Sequence, residues 1–226
     1  MLGTVVNAAA ILIGGGVGLL LKGGLPSRFS EQVMRALSLC VLYIGVTGIF
    51  EGGQTLRLIL SMVIGTLIGE GLDLDAKVGR ISSWVERKFH RPNQHVSLAE
   101  GFLTASLLFC VGAMSIVGAL EDGLKGDASI LYTKSMLDGI FALIFSSSLG
   151  AGVVLASLFV FIYQGSLSLL AGVISPFLTE GVISEMTCVG SLIIIGLALN
   201  MLKITDLKLM NFVPSIFMPI LLAIIN

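Results

Sequence analysis

The chain has 226 residues, of which 55% are hydrophobic and 12% are charged, with a formal net charge of −1. A soluble domain of this size carries about 25% charged residues, so the composition excludes an ordinary water-soluble globule and predicts a membrane protein. The near-zero net charge gives no indication of a nucleic-acid partner, and the three cysteines form no CxxC pair that would indicate a zinc or redox site.

Eight continuous apolar runs approach the about 20 residues that a helix needs to cross a bilayer. They are Leu2–Leu21, Val33–Phe50, Leu56–Leu72, Leu98–Leu120, Leu131–Leu149, Gly152–Ile174, Ser184–Leu202 and Leu209–Ile225. Because lipid offers no hydrogen-bond partner to the backbone, these runs are predicted to be helical, and they lack the alternation of barrel strands. The sequence therefore predicts a single all-α transmembrane domain over residues 1–226, with no cofactor or metal. The first run has no basic residue before it and is predicted to be a retained helix, not a cleaved signal.

The distribution of basic residues predicts the orientation of these spans in a bacterial cytoplasmic (inner) membrane. With both termini outside, every Lys and Arg except Arg57, Lys125 and Lys134 falls on the cytoplasmic side. The one long polar stretch, residues 73–92, carries apolar residues at helical spacing around Trp84. This pattern predicts a cytoplasmic amphipathic helix at the membrane surface, and a solvated connector is the alternative.

The two ends of the chain resemble each other. Segment Gly3–Gly23 aligns with Gly152–Gly172 at a constant offset, with identical residues at seven of twenty-one positions. Two spans separate the first three from the last three, so the two copies would run in opposite directions. The sequence therefore predicts an inverted three-helix repeat around a central hairpin of the fourth and fifth spans, a construction known from secondary transporters.

A motif of small and polar residues connects the fourth and fifth spans. It reads Val-Gly-Ala-Met-Ser-Ile at residues 111–116 and continues through Gly118, Gly123, Gly126 and Asp127 to Lys134-Ser135 and Asp138-Gly139. Together with the glycine-rich first span, which contains Asn7, this resembles the YqgA/YdfK family of bacterial membrane proteins over essentially the whole chain. The resemblance implies a multi-pass membrane protein, usually described as a candidate transporter. It implies neither a substrate nor catalytic residues.

Lys134 and Asp138 are the strongest candidates for a functional site. Their i, i+4 spacing places them on one face of the fifth span, and charges within a span usually face a cavity or a partner. In one interpretation Asp138 takes up a proton or binds a cation, with Lys134 as its counter-ion. In the other they form a structural ion pair near the interface, with Lys134 extending outward.

Further polar residues could bind a small solute or ion. Glu51 and Glu121 end the second and fourth spans and could form an acidic outer vestibule or lie in hydrated loops. Asn7, Asn200 and Gln164 could contact a solute, but hydrogen bonding between helices or simple packing would equally explain them.

Gly14 and Gly18 form a GxxxG motif, which predicts close helix packing and offers a seam for a homodimer. We predict a small secondary transporter for a solute or ion, coupled to protons or cations and assembled as a homo-oligomer, with a dimer favoured. An oligomeric channel and a non-transporting sensor or scaffold that uses residues 73–92 are the alternatives. The sequence has no nucleophile–base pair or metal-ligand cluster, so we do not expect an enzyme.

Overall fold

The computed structural model of the chain describes residues 1–21, 27–80 and 98–225, and the regular structure in these ranges is helical. In chain order the helices are α1 (Leu2–Leu21), α2 (Ser27–Gly48), α3 (Thr55–Leu72), α4 (Leu98–Cys110), α5 (Ala113–Lys125), α6 (Ser129–Leu149), α7 (Ala151–Leu169), α8 (Glu180–Met201) and α9 (Met218–Ile225). A single turn, Ala171–Ile174, and the 3-10 helices Ile49–Glu51, Ser175–Phe177 and Leu209–Phe217 lie between them.

Six helices among the described residues are long and apolar enough to cross a membrane: α1, α2 with the turn that follows it, α3, α6, α7 and α8. The pair α4 and α5 makes a seventh if it counts as one span. Many of their exposed side chains are large and apolar, as at Leu20, which is 84% exposed, and Leu169, which is 71% exposed. An apolar surface of this extent needs lipid to cover it. The predicted all-helical membrane fold is confirmed, with six or seven spans by this measure where the sequence predicted eight.

The fourth predicted span is not one continuous helix. It breaks after Cys110, and α4 and α5 meet at an angle of 64°. Gly112 at the break has a φ of +119°, which side-chain-bearing residues rarely adopt, so glycine permits the break here. The prediction of an unbroken helix over Leu98–Leu120 is therefore wrong, because it considered apolar length alone.

Proline changes two of the predicted spans near the end of the chain. The last one, Leu209–Ile225, begins as a 3-10 helix that contains Pro214, and its apolar helical part is shorter than the other spans. The sixth ends as a helix at Leu169 and is followed by the 3-10 turn that contains Pro176. Proline lacks the N–H that an α-helix interior requires, which fits the 3-10 geometry around Pro214 and Pro176, whereas α7 already ends at Leu169, before the turn Ala171–Ile174. Of the predicted amphipathic segment, residues 74–80 are helical, and residues 81–92 lie outside the described ranges.

Contacts within the chain divide it into two compact units. The first unit comprises Met1–Val33, Val78–Cys110 and Met114–Gly172, and the second comprises Met34–Lys77, Val111–Ala113 and Val173–Asn226. The first unit therefore holds α1, α4, α6, α7 and nearly all of α5, whereas α3, α8 and α9 belong to the second. The core of the first unit contains the buried Phe109 and Phe145, and the core of the second unit contains the buried Ile193, Ile194 and Leu197.

Candidate functional site

An ion pair is buried inside the first unit. Lys134 and Asp138 lie one turn apart on α6, and the Lys134 Nζ is 2.9 Å from each oxygen of the Asp138 carboxylate. Their side chains are 9% and 4% exposed. The lysine therefore folds back onto its acidic neighbour inside the unit and does not extend outward.

A line of hydrogen bonds extends from this pair across three further helices. The Asn7 Nδ2 of α1 donates to Asp138 Oδ2 and to Gln164 Oε1 of α7, both at 3.1 Å. Gln164 Nε2 in turn donates to the Ser115 Oγ in the first turn of α5, at 3.0 Å. Asn7, Gln164 and Ser115 are fully buried. We call Lys134, Asp138, Asn7, Gln164 and Ser115 the polar cluster.

The polar cluster leaves acceptors unused. Asn7 Oδ1 is buried and has no hydrogen-bond partner among the described residues, and the same is true of Thr4 Oγ1, which lies outside the cluster but three residues earlier on the same helix face. Leaving such a group unpaired costs about 1–3 kcal/mol, so it usually indicates a bound water, ion or ligand. The arrangement can therefore accept a hydrogen-bond donor or a cation beside an ion pair whose own charges already balance.

Glycines bring α1 close enough to α6 for Asn7 to reach Asp138. A Cβ at Gly14 would collide with the Gly139 carbonyl oxygen, and one at Gly18 with the carbonyl oxygen of Leu143. The GxxxG face of α1 is therefore occupied by a helix of the same chain, and it does not form the seam for a second copy that the sequence offered.

Cys110 and Asp127 are two further titratable groups of the first unit. The thiol of Cys110, at the end of α4, lies near enough to Lys134 and Asp138 to interact with both charges. Asp127 lies outside the spans, in the connection between α5 and α6. Hydrogen bonds from the side chain and backbone of Ser129 hold the pKa of the Asp127 carboxyl below its ordinary value.

Comparison with known proteins identifies the family. The model of the family described as "Protein of unknown function (DUF554)" matches residues 2–224. The chain belongs to the DUF554 family. Two relatives of this DUF554 chain are the uncharacterized membrane protein YdfK of Bacillus subtilis and the uncharacterized protein YqgA of Escherichia coli. YdfK is 33% identical over 97% of this chain and 94% of its own length, and YqgA is 30% identical over 96% and 94%. The predicted resemblance is thus confirmed, and no solved structure gave a significant match.

The acidic residues predicted for an outer vestibule lie in different settings. Glu51 is exposed in the 3-10 turn after α2, within the second unit. Glu121, in the first unit, accepts a hydrogen bond from Lys125 at 3.0 Å. Its neighbour Asp122 is buried and accepts a hydrogen bond from the Gly3 amide at 3.1 Å. Glu121 and Asp122 therefore make local contacts within their own unit.

Asn200 lies in the last turn of α8, and its side chain bonds to the loop that follows this helix. Its side-chain amide donates to the carbonyl of Leu207 and accepts from the Leu207 amide and the Thr205 hydroxyl, at 2.7–2.9 Å. With these bonds made, Asn200 orders the loop after α8 and does not join the polar cluster.

Thr4, Ser115 and Glu185 are among the buried polar residues that sequence reasoning did not single out. Thr4 and Ser115 are common in apolar helices and carry no distinctive spacing. Glu185 had a usable signal, since an acidic side chain inside an apolar run is rare and usually functional. Within the described ranges no group of three or more His, Cys, Asp and Glu side chains could hold a metal ion.

Proposed function

We propose that this protein is a small secondary transporter, and not an enzyme, that moves a small solute or ion across the bacterial cytoplasmic membrane. The observation that carries the proposal is the buried polar cluster, in which Lys134 and Asp138 are linked through Asn7 to Gln164. Ionisable groups inside a membrane are costly and usually mark an ion pathway or proton relay. A purely structural role would not need the open acceptors beside the ion pair.

The chemistry of the pair suits exchange of a cation for a proton. A monovalent cation that reaches the Asp138 carboxylate displaces the Lys134 ammonium group. If Lys134 then releases its proton, the site stays neutral in both states, which avoids burying a net charge. The open Asn7 oxygen supplies a neutral oxygen ligand of the kind that such a cation requires.

The broken helix formed by α4 and α5 supports a transporter. Discontinuous helices in transporter folds expose backbone groups and helix ends to a bound solute. Ser115, the residue of the broken pair that joins the polar cluster, lies in the first turn after the break. The break at Gly112 is therefore only three residues along the chain from a member of the polar cluster.

The predicted inverted repeat, a further part of this proposal, is supported by packing of each helix on its counterpart in the other copy. In the first unit α1 packs on α7, with Gly15 against Val154 and Thr4 near Gly165. These contacts run antiparallel, as an inverted repeat requires.

In the second unit, too, helices pack antiparallel on their counterparts in the other copy. Helix α3 packs on the 3-10 helix Leu209–Phe217, with Gly65 against Ser215 and Gly69 against Asn211. Helix α2 packs on α8 in the same antiparallel sense. We therefore include the inverted repeat in the proposal, with both termini outside as the basic residues predict and a homodimer as the working assembly.

Proton movement in liposomes tests this function. Purified protein is reconstituted with a pH-sensitive dye inside, a pH gradient is imposed, and Na⁺ or K⁺ is added outside. We expect the added cation to collapse the gradient with wild type and with Asp127→Asn, a matched change of an exposed acid. Asp138→Asn should abolish the effect. Proton movement that is indifferent to the cations, or equal in Asp138→Asn and wild type, would rule out the proposal, and passive flux of the cation without proton exchange would indicate the channel instead.

A further inference from the structure

A second intramembrane carboxylate lies in the second unit. Glu185 is on α8, less than two turns from its start, and is 5% exposed. One carboxylate oxygen, Oε1, accepts hydrogen bonds from the backbone amides of Gly53 and Gln54, at 3.0 and 2.9 Å. The other, Oε2, is buried and has no hydrogen-bond partner in the part of the chain that the structure describes. One oxygen of this carboxylate therefore accepts hydrogen bonds, and the other is free to bind a ligand.

Among the described residues Glu185 also has no counter-ion in contact. Across the described residues, no Lys or Arg nitrogen lies within 4.0 Å of its carboxylate, whereas Asp138 has Lys134 at 2.9 Å. The titratable group that faces Glu185 on its own helix is the Cys188 thiol, which donates to the Ile49 carbonyl at 3.3 Å. A thiol supplies no positive charge, so no described residue within 4.0 Å balances the charge of Glu185.

The turn between α2 and α3 closes over this carboxylate. A Cβ on Gly52 would lie 2.8 Å from the Cys188 Sγ and 3.5 Å from Glu185 Oε2. The side chain at position 52 must be absent for the turn to approach this closely, so the backbone at Gly52 lies close to the open oxygen. A bulky organic cation is therefore a poor fit.

We propose that Glu185 is the anionic ligand of a site for one small monovalent metal cation in the second unit. One positive charge neutralises the carboxylate, whereas a divalent ion would leave a net positive charge in an apolar setting. Oε2 binds the ion, and water and backbone carbonyls of the turn would complete its coordination. Because Oε1 holds the amides of Gly53 and Gln54, an ion on Oε2 fixes the turn between α2 and α3 as well.

This site shares no residue with the polar cluster, so the inference stands or falls independently of the proposed function. It is tested by ion binding to the full-length protein in detergent, with Tm measured in NaCl, KCl and choline chloride at equal ionic strength. We expect Na⁺ at about a hundredfold over its Kd to raise the Tm by on the order of 5 °C relative to choline. Radioactive Na⁺ should bind at about one ion per chain.

Three variants locate the effect. Glu185→Gln should lose the Na⁺ shift and the bound ion, whereas Glu180→Gln, the same change at an exposed position of α8, should keep both. Asp138→Asn should also keep them. If Glu185→Gln does not fold, two measurements still decide the matter. One is the comparison of salts with wild type, and the other is Glu185→Asp, whose shorter side chain should weaken Na⁺ binding.

Equal Tm values in the three salts would overturn the proposal, as would a Tm that follows pH but not the metal cation. Retention of Na⁺ binding in Glu185→Gln together with its loss in Asp138→Asn would move the ion to the polar cluster and would also overturn it.

Discussion

The buried pair Lys134–Asp138 permits a quantitative test of the electrostatics inside the first unit. Replacing Lys134 by Met removes the ammonium group but keeps most of the apolar stem, and replacing Asp138 by Asn removes the carboxylate charge but keeps a polar side chain. Each single change leaves one uncompensated charge at a site whose partners are at most 9% exposed. Breaking such a pair costs about 3–5 kcal/mol.

The double variant has no charge left at this site. It should be close in stability to wild type or lose far less than the two single changes together, because exchanging a buried pair for neutral groups is often nearly neutral. The coupling energy from the four proteins should therefore exceed about 2 kcal/mol. The free energy of unfolding is measured by equilibrium denaturation of the reconstituted protein in mixed micelles.

The chain contains a matched control for this cycle. Glu121 and Lys125 have the same i, i+4 spacing and a similar distance of 3.0 Å, but their side chains are 30% and 67% exposed. Solvent screening should reduce their coupling energy to about 0.3–0.5 kcal/mol. Equal coupling energies for the two pairs would show that burial does not strengthen the Lys134–Asp138 interaction, and our account of the polar cluster would be refuted.

Four further changes test the packing, the helix break and the surface charge. Gly14→Ala should destabilise the protein by about 1–3 kcal/mol because its Cβ has no room against α6. Gly16→Ala, with nothing within 4 Å of its Cβ, should be neutral or stabilising by about 0.5–1 kcal/mol in the same unfolding assay. Gly112→Ala also meets no neighbouring atom, so a loss of about 1–3 kcal/mol in that assay would report backbone strain at its positive φ, and no loss would contradict it. Because the folded-state pKa of Asp127 is lowered, its stabilising contribution is present above the unfolded pKa of about 3.9 and is lost as pH falls through the folded value. Ser129→Ala should return that pKa upward in a carboxyl ¹³C NMR titration, and an unchanged titration would contradict the assigned cause.

Several features of the chain follow from the sequence because they depend on composition or on local helix geometry. Long apolar runs must be helical in lipid, whatever their neighbours. The i, i+4 spacing puts Lys134 beside Asp138 in any helix that contains both. The motif around residues 111–139 was sufficient to identify the family. The tertiary structure alters none of these conclusions.

Other features exist only because particular helices pack together. Asn7 and Gln164 are separated by 157 positions along the chain, and no local rule brings them into contact. Apolar helices resemble one another in composition, so hydropathy does not say which faces meet; close packing at small residues such as Gly14 decides it. The open oxygen of Glu185 is likewise visible only once the turn between α2 and α3 is folded over it. Sequence thus determined the membrane class and the local charge pair, whereas tertiary packing determined which distant polar atoms share a buried site and which of them remain unpaired.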